Sequence, residues 1–356
     1  MRGRLIAMVA LLVLVAGCGG GTSDLVYPPD KISFAATDDG WRLGLLHFPP
    51  TGEPLDTEPL VLCHGIITTS ITYYQGDRYG LAPVLAALGY DVWLVNLRGR
   101  YPSDRPAANP EKNFGWTIDD YINHDLPAVL AHVLEKTGAK RVTWIGHSMG
   151  GMIVYAYQGT RDDARIARII AIASPIRFAD YCDELKDLAR GLGRKFDRDS
   201  ALRLRIAGRF YQPFSEHRLF ENYLLLVANL DNIDPVLWKR FVSDGVSDVS
   251  GGVLQHISAC ALDDSFKSFD GAIDYRRAMS NIQEPMLLLA GSVDKLGPAT
   301  AVKPALDLVG SQDKTYREFG RANGQSVEYG HLDLVIGDHA RREVDPVIIE
   351  WLRSHR

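Results

Sequence analysis

Cysteine is scarce, with four residues in a chain of 356, at positions 18, 63, 182 and 260. None of them stands at a metal-ligand spacing with another cysteine or with histidine, so a structural zinc site is not expected. Runs of lysine or arginine are missing, and the formal net charge is −5. That balance argues against a nucleic-acid surface. Internal repeats and low-complexity blocks are also lacking. The apolar run at the N-terminus, Leu5 to Ala16, is too short to span a bilayer. What remains is ordinary for a folded chain, with 46% hydrophobic and 23% charged residues. The length suits one large α/β domain or two smaller ones.

The apolar run has the flanks of a secretory signal. Arg2 and Arg4 precede it, and Val15-Ala16-Gly17-Cys18 closes it, followed by Gly19, Gly20, Gly21, Thr22 and Ser23. This resembles a bacterial lipoprotein signal, and the resemblance implies removal of residues 1–17 and lipidation of Cys18. Residues 18–30 would then serve as a tether. Several acyl chains on one residue anchor firmly, so the resemblance implies a protein exported and held on the periplasmic or cell-surface face of a bacterial membrane. In an exported protein Cys182 and Cys260 could be oxidised to a bridge, although spacing alone does not bring them together. Cys63 lies in an apolar strand and reads as a small buried hydrophobe.

The stretch that carries chemistry is Arg141-Val-Thr-Trp-Ile-Gly-His-Ser-Met-Gly-Gly151. A short apolar strand runs into Gly-x-Ser-x-Gly and then into an apolar helix, the setting of a nucleophile elbow. Ser148 is therefore the candidate nucleophile, and Gly146 and Gly150 are expected to leave room where the turn folds back. Around it, Lys31 to Phe48 reads as two strands joined at Thr37-Asp38-Asp39-Gly40. Further strands are expected at 59–63, 90–97, 168–174, 285–291 and 314–319. Helices are expected at 81–88, 118–136 and 344–352, with Gly138 ending the second. The alternation implies a mostly parallel sheet covered on both faces.

Residues 176–284 break this rhythm. An insertion of that length is read as a largely helical cap over the site, with helix-like stretches at Phe220–Leu230 and Val236–Val242. Its aromatic and aliphatic residues, among them Phe210, Tyr211, Phe214, Tyr223, Leu224, Leu225 and Trp238, are mostly core, with a few available to line an apolar pocket. The core would be 31–175 and 285–356.

A serine hydroxyl needs a base during attack. Of the ten histidines, His331 lies after the last expected strand, where the order Ser, Asp, His places the base. His147 belongs to the elbow and is expected to point away. His64 lies on the oxyanion side, and His339 and His355 flank the terminal helix. Asp294 follows the strand at 285–291 and is the candidate partner of His331, with Asp270, Asp274 and Asp333 as substitutes. The oxyanion donors are expected to be the backbone N–H of Met149 and one from the loop after Cys63-His64-Gly65, Ile66 first and Ile67 next.

Several segments resemble the acid lipase family of gastric and lysosomal lipases within the α/β-hydrolase superfamily. They are Thr37-Asp-Asp-Gly-Trp-Arg-Leu-Gly-Leu-Leu-His-Phe-Pro49, Tyr90-Asp-Val-Trp-Leu-Val-Asn-Leu-Arg-Gly99, Asp125-Leu-Pro-Ala128 with Lys136-Thr-Gly138, and Gly330-His-Leu-Asp-Leu334. The resemblance covers most of the core from about Tyr27, but not the insertion. It implies an α/β-hydrolase fold, a triad of Ser148, Asp294 and His331, and an oxyanion hole at Ile66 and Met149. Met149 departs from the family's usual glutamine, and extra residues separate Asp294 from His331. The reading is a serine hydrolase of lipid or other carboxylic esters that works through an acyl-enzyme without metal or organic cofactor. Acyl or thioester transfer on the same triad, and a catalytically silent lipid-binding surface protein, are the alternatives.

Overall fold

The computed structural model describes residues 32–75, 80–206 and 226–356. The expected signal, Cys18 and the tether lie outside these residues, as do Phe210, Tyr211, Phe214, Tyr223, Leu224 and Leu225 of the insertion.

Eight strands form one sheet: β1 (Ile32–Ala36), β2 (Arg42–Phe48), β3 (Leu60–Cys63), β4 (Val92–Asn96), β5 (Val142–His147), β6 (Ile166–Ile172), β7 (Met286–Gly291) and β8 (Lys314–Phe319). Their order is β1-β2-β4-β3-β5-β6-β7-β8. β2 runs antiparallel to both β1 and β4, and every other pairing is parallel. The parallel strands must be covered on both faces, and β3, β4, β5, β6 and β7 are buried at every residue. One apolar layer includes α2 (Leu126–Thr137) and α3 (Met149–Arg161). The other includes α1 (Leu81–Ala87) and, near the C-terminus, the helix Asp345–Ser354.

The expected helix over 118–136 is continuous with a modification. Ile118–Asp120 leads into a π-helical turn, Tyr121–Asp125, before α2 begins, and Gly138 closes α2 with φ 71°. The wider turn carries Asp125, whose carboxylate is fully buried against Arg98. Arg98 meets Asp125 at 2.7 Å and Asp39 at 2.6 Å, so the cation is matched by carboxylates where it leaves water. A second buried cation, Arg168 in β6, is matched by Asp56 and Glu58.

The insertion departs more from expectation. In the described part of Phe220–Leu230 there is no α-helix, and the chain enters a 3₁₀ turn at Leu230–Asn232. Among the described residues its helices include α4 (Asp183–Lys195), α5 (Pro235–Arg240), α6 (Gly251–Asp263) and the short Tyr275–Ala278. α5 continues as a π-helical turn, Phe241–Gly245, and Trp238 stacks on Phe241. α4 packs on α6. A two-residue antiparallel pair, Ala201–Leu202 with Val249–Ser250, joins the two halves of the insertion. Cys63, Cys182 and Cys260 are free thiols, so the bridge considered between the last two is not formed. Cys182 is exposed while Cys260 is buried.

Candidate active site

The site gathers where parallel strands end, the position at which open α/β sheets place ligands. Ser148 stands between β5 and α3 with φ 53° and ψ −119°, a conformation that costs a non-glycine residue free energy and is held here by its surroundings. The Ser148 N–H donates to the Ile172 carbonyl of β6 at 2.8 Å, locking the turn to the next strand. Close approach explains the flanking glycines. A Cβ at Gly146 would run into the backbone of Gly150, and one at Gly150 into the carbonyl oxygens of Cys63 and His64. Met149 opens α3, so its N–H has no partner within the helix and belongs to the positive end of the helix dipole.

Asp294 and His331 follow β7 and β8. The Nδ1 of His331 lies 2.8 Å from Oδ2 of Asp294, with both residues buried. The second carboxylate oxygen, Oδ1, accepts the N–H groups of Leu296 and Gly297, each at 2.8 Å. Those bonds fix the carboxylate, and the carboxylate in turn selects the His331 tautomer that carries its proton on Nδ1. The structure thus brings Asp294 and His331 together. Asp270 instead caps a short loop through Ser268 and Ala272, and Asp274 caps a helical turn at Arg277.

His147 is placed differently from the sequence expectation. It does not turn away, since its Nε2 donates to the His331 carbonyl at 3.0 Å and its ring centroid lies 4.8 Å from that of His331. Burial, helped by the neighbouring His331, pushes its pKa down to about 3, so it serves as a neutral brace. No local signal reveals this role, because it depends on where the chain returns 184 residues later.

His64 occupies the other side. Its Nε2 accepts the Leu97 N–H at 3.2 Å, which leaves Nδ1 to donate to the Gly65 carbonyl at 2.8 Å. Burial, reinforced by Arg100, lowers its pKa to about 3 and keeps that tautomer neutral. Because a trans peptide directs C=O and N–H oppositely, holding the Gly65 carbonyl also fixes the direction of the Ile66 N–H. Thr68 adds a bond from the Gly65 N–H to its Oγ1 at 3.0 Å.

The insertion grips the site from two directions. Ser247 donates its N–H to the Ile67 carbonyl at 2.8 Å, and Thr69 donates to Gly245 at 3.0 Å. On the histidine side, Leu332 donates to Val227 at 2.9 Å, and Asn229 Nδ2 to the Glu328 carbonyl at 2.8 Å.

Asp333 ties these segments together. It accepts the N–H groups of Asn229 at 2.9 Å and Gly330 at 3.0 Å, and Nδ2 of Asn232 at 3.1 Å. Burial outweighs these donors and pushes its pKa up to about 6 from an ordinary 3.8. The folded protein therefore holds this proton more tightly than the unfolded chain, so the group's stabilisation is full below about pH 4 and is lost as pH rises through about 6. Thermal or urea unfolding of wild type and Asp333→Asn should show the wild type losing stability relative to the variant across that window. The expected relative loss is on the order of 3 kcal/mol. A constant difference across the window would contradict the shift.

With this geometry in hand, comparison with known proteins places the chain. Residues 58–323 match the family described as alpha/beta hydrolase fold, and the chain belongs to that family. It is similar to Lipase member K of Homo sapiens, 28% identical over 247 residues, covering 67% of this chain and 58% of that protein. The Mus musculus Lipase member K is 25% identical over 361 residues, covering 92% of this chain and 88% of its own. Both are consistent with the resemblance to acid lipases. Among solved structures, a thermophilic esterase from Thermogutta terrifontis shares the fold with a TM-score of 0.59 at 17% identity. It covers 91% of this chain and 98% of the esterase.

Proposed function

We propose that the protein is a serine hydrolase of carboxylic esters, with Ser148, His331 and Asp294 as its triad. The observations that carry this reading are the strained Ser148 at a strand-to-helix turn and a buried His331–Asp294 pair whose free imidazole nitrogen is Nε2, linked through His147, which adjoins Ser148 in the chain and packs against the His331 ring. Ser148 Oγ attacks the ester carbonyl while His331 Nε2 takes its proton. The carbonyl oxygen becomes an oxyanion held by the N–H groups of Met149 and Ile66. Collapse of the tetrahedral species breaks the ester C–O bond, and His331 returns the proton to the departing alcohol. Water then attacks the acyl-serine with His331 again as base, releasing the carboxylic acid and restoring Ser148.

Lipid esters are the substrate class favoured by the lipase relatives, whose names include Gastric triacylglycerol lipase of Mus musculus, 30% identical over 167 residues. The insertion over 176–284 acts in this reading as a cap that selects the acyl chain, and a lipid anchor at Cys18 would hold the enzyme against its substrate. A panel of p-nitrophenyl esters from acetate to palmitate tests the reading. Hydrolysis with a preference for longer chains is expected. Inactivity on every ester, with acyl transfer to an added alcohol or thiol instead, would replace hydrolysis by transfer.

A further inference from the structure

Behind the proposed oxyanion loop lies a charge that the triad does not use. Arg100 follows β4, and its side chain is wholly buried. A guanidinium remains protonated in proteins, and removing it from water without a counter-ion is expensive. Arg98, two residues earlier, meets that problem with Asp125 and Asp39. Arg100 does not. Among the described residues its polar partners are all neutral: Nη1 donates to the Arg98 carbonyl at 3.0 Å and to the Tyr121 hydroxyl at 2.5 Å, and Nη2 donates to the Ile66 carbonyl at 2.6 Å. Its Nε has no acceptor. The guanidinium carbon also lies 5.4 Å from the centre of the Tyr121 ring, whose π face compensates only part of the lost hydration.

The position of this cation gives its retention a reason. Three successive carbonyls of the loop are held from three different elements. His64 holds that of Gly65, Arg100 that of Ile66, and Ser247 of the insertion that of Ile67. Ile66 lies in the middle, and its own N–H is the proposed second donor to the oxyanion. The loop is thereby oriented before substrate arrives.

We propose that Arg100 is a positioning residue of the oxyanion hole, fixing the Ile66 carbonyl and leaving an unneutralised positive charge behind the loop. This inference rests on the reading of Ser148 as nucleophile and Ile66 as donor. The charge favours the negatively charged tetrahedral species over the neutral ester, because fixed charges act strongly where water is excluded and need no rearrangement during the reaction. Its effect therefore falls on kcat and on the binding of charged transition-state mimics, and not on KM. A guanidinium that only anchored the turn would alter stability without that division.

The test compares the wild type, Arg100→Met, Arg100→Lys and Ser148→Ala in ester hydrolysis and in inhibition by a trifluoromethyl ketone, which adds serine to form a charged hemiketal. Arg100→Met should lower kcat by about 10- to 100-fold and weaken the ketone by a similar factor, with KM within about twofold of wild type. Arg100→Lys should recover part of the loss, since it keeps the charge but not the planar fork. A folded Arg100→Met with wild-type kcat and ketone affinity, or with a change confined to KM, overturns the inference. If Arg100→Met does not fold, Tyr121→Phe carries the test, because it removes one acceptor of the guanidinium. A several-fold fall in kcat and ketone affinity at constant KM supports the inference, and wild-type values overturn it. Full turnover by Ser148→Ala would overturn the serine reading and this inference with it. Loss in Ser148→Ala beside unaltered Arg100 variants overturns this inference alone.

Discussion

Replacing Ser148 with alanine should lower kcat for ester hydrolysis by about 10⁴-fold or more, leaving only the residual rate that binding and the oxyanion donors sustain. The backbone argument separates this from a folding defect. Alanine carries the same Cβ as serine, so the φ of 53° is no more costly to the variant than to the wild type. The melting temperature should therefore remain within a few degrees of wild type. A fluorophosphonate should add covalently to the wild type at Ser148, seen as a mass increase on the peptide containing Gly146 to Gly150, and should leave the variant unlabelled. Retained turnover in the variant would remove Ser148 from the mechanism.

The second large effect is expected from Asp294→Asn. Because Oδ1 of Asp294 is bound by two backbone N–H donors, an asparagine must keep its carbonyl oxygen there and turn its NH₂ group towards His331. A donor facing Nδ1 forces the imidazole proton onto Nε2, and the base can then no longer accept the serine proton. With fold and site otherwise intact, kcat should fall by about 10⁴-fold. Steady-state kinetics beside a melting curve checks this. A loss smaller than about tenfold would mean that the carboxylate does not set the tautomer. Asp333 would not replace it, since its oxygens are committed to Asn229, Gly330 and Asn232.

The central strands of the sheet were legible because strands buried on both faces are predominantly apolar. Val142 to Ile145 and Met286 to Ala290 leave little alternative. The elbow was legible because its demands are local, with a strand, a tight turn and a helix contiguous in sequence. The pairing of Asp294 with His331 followed from chain order, a longer-range but still one-dimensional cue. Residues that act across the fold left no such trace. His147 braces a histidine far along the chain, and His64 holds a carbonyl beside it only because Leu97 of another loop supplies the opposing N–H. The π-helical turn at Tyr121–Asp125 hides in the periodicity of a helix, whose apolar spacing it scarcely alters. Within the insertion the individual elements were poorly legible. Many of its helices are short, and tertiary packing outweighs local propensity in such segments.

The double attachment of the insertion bears on any attempt to re-engineer chain-length preference. A cap that rested on the core through side chains alone could be exchanged for a relative's as a module. Here, bonds that involve the backbone of Gly245 and Ser247 end on the loop after β3, and those that involve Val227, Asn229 and Asn232 end on the loop bearing His331 or just after it. A graft cut at the two junctions with the sheet would transplant the proposed selectivity element and unfasten the proposed catalytic frame in the same operation. Chimeras that retain 226–233 and 245–247 from this chain, and vary only what lies between and before them, keep both fastenings while changing the wall.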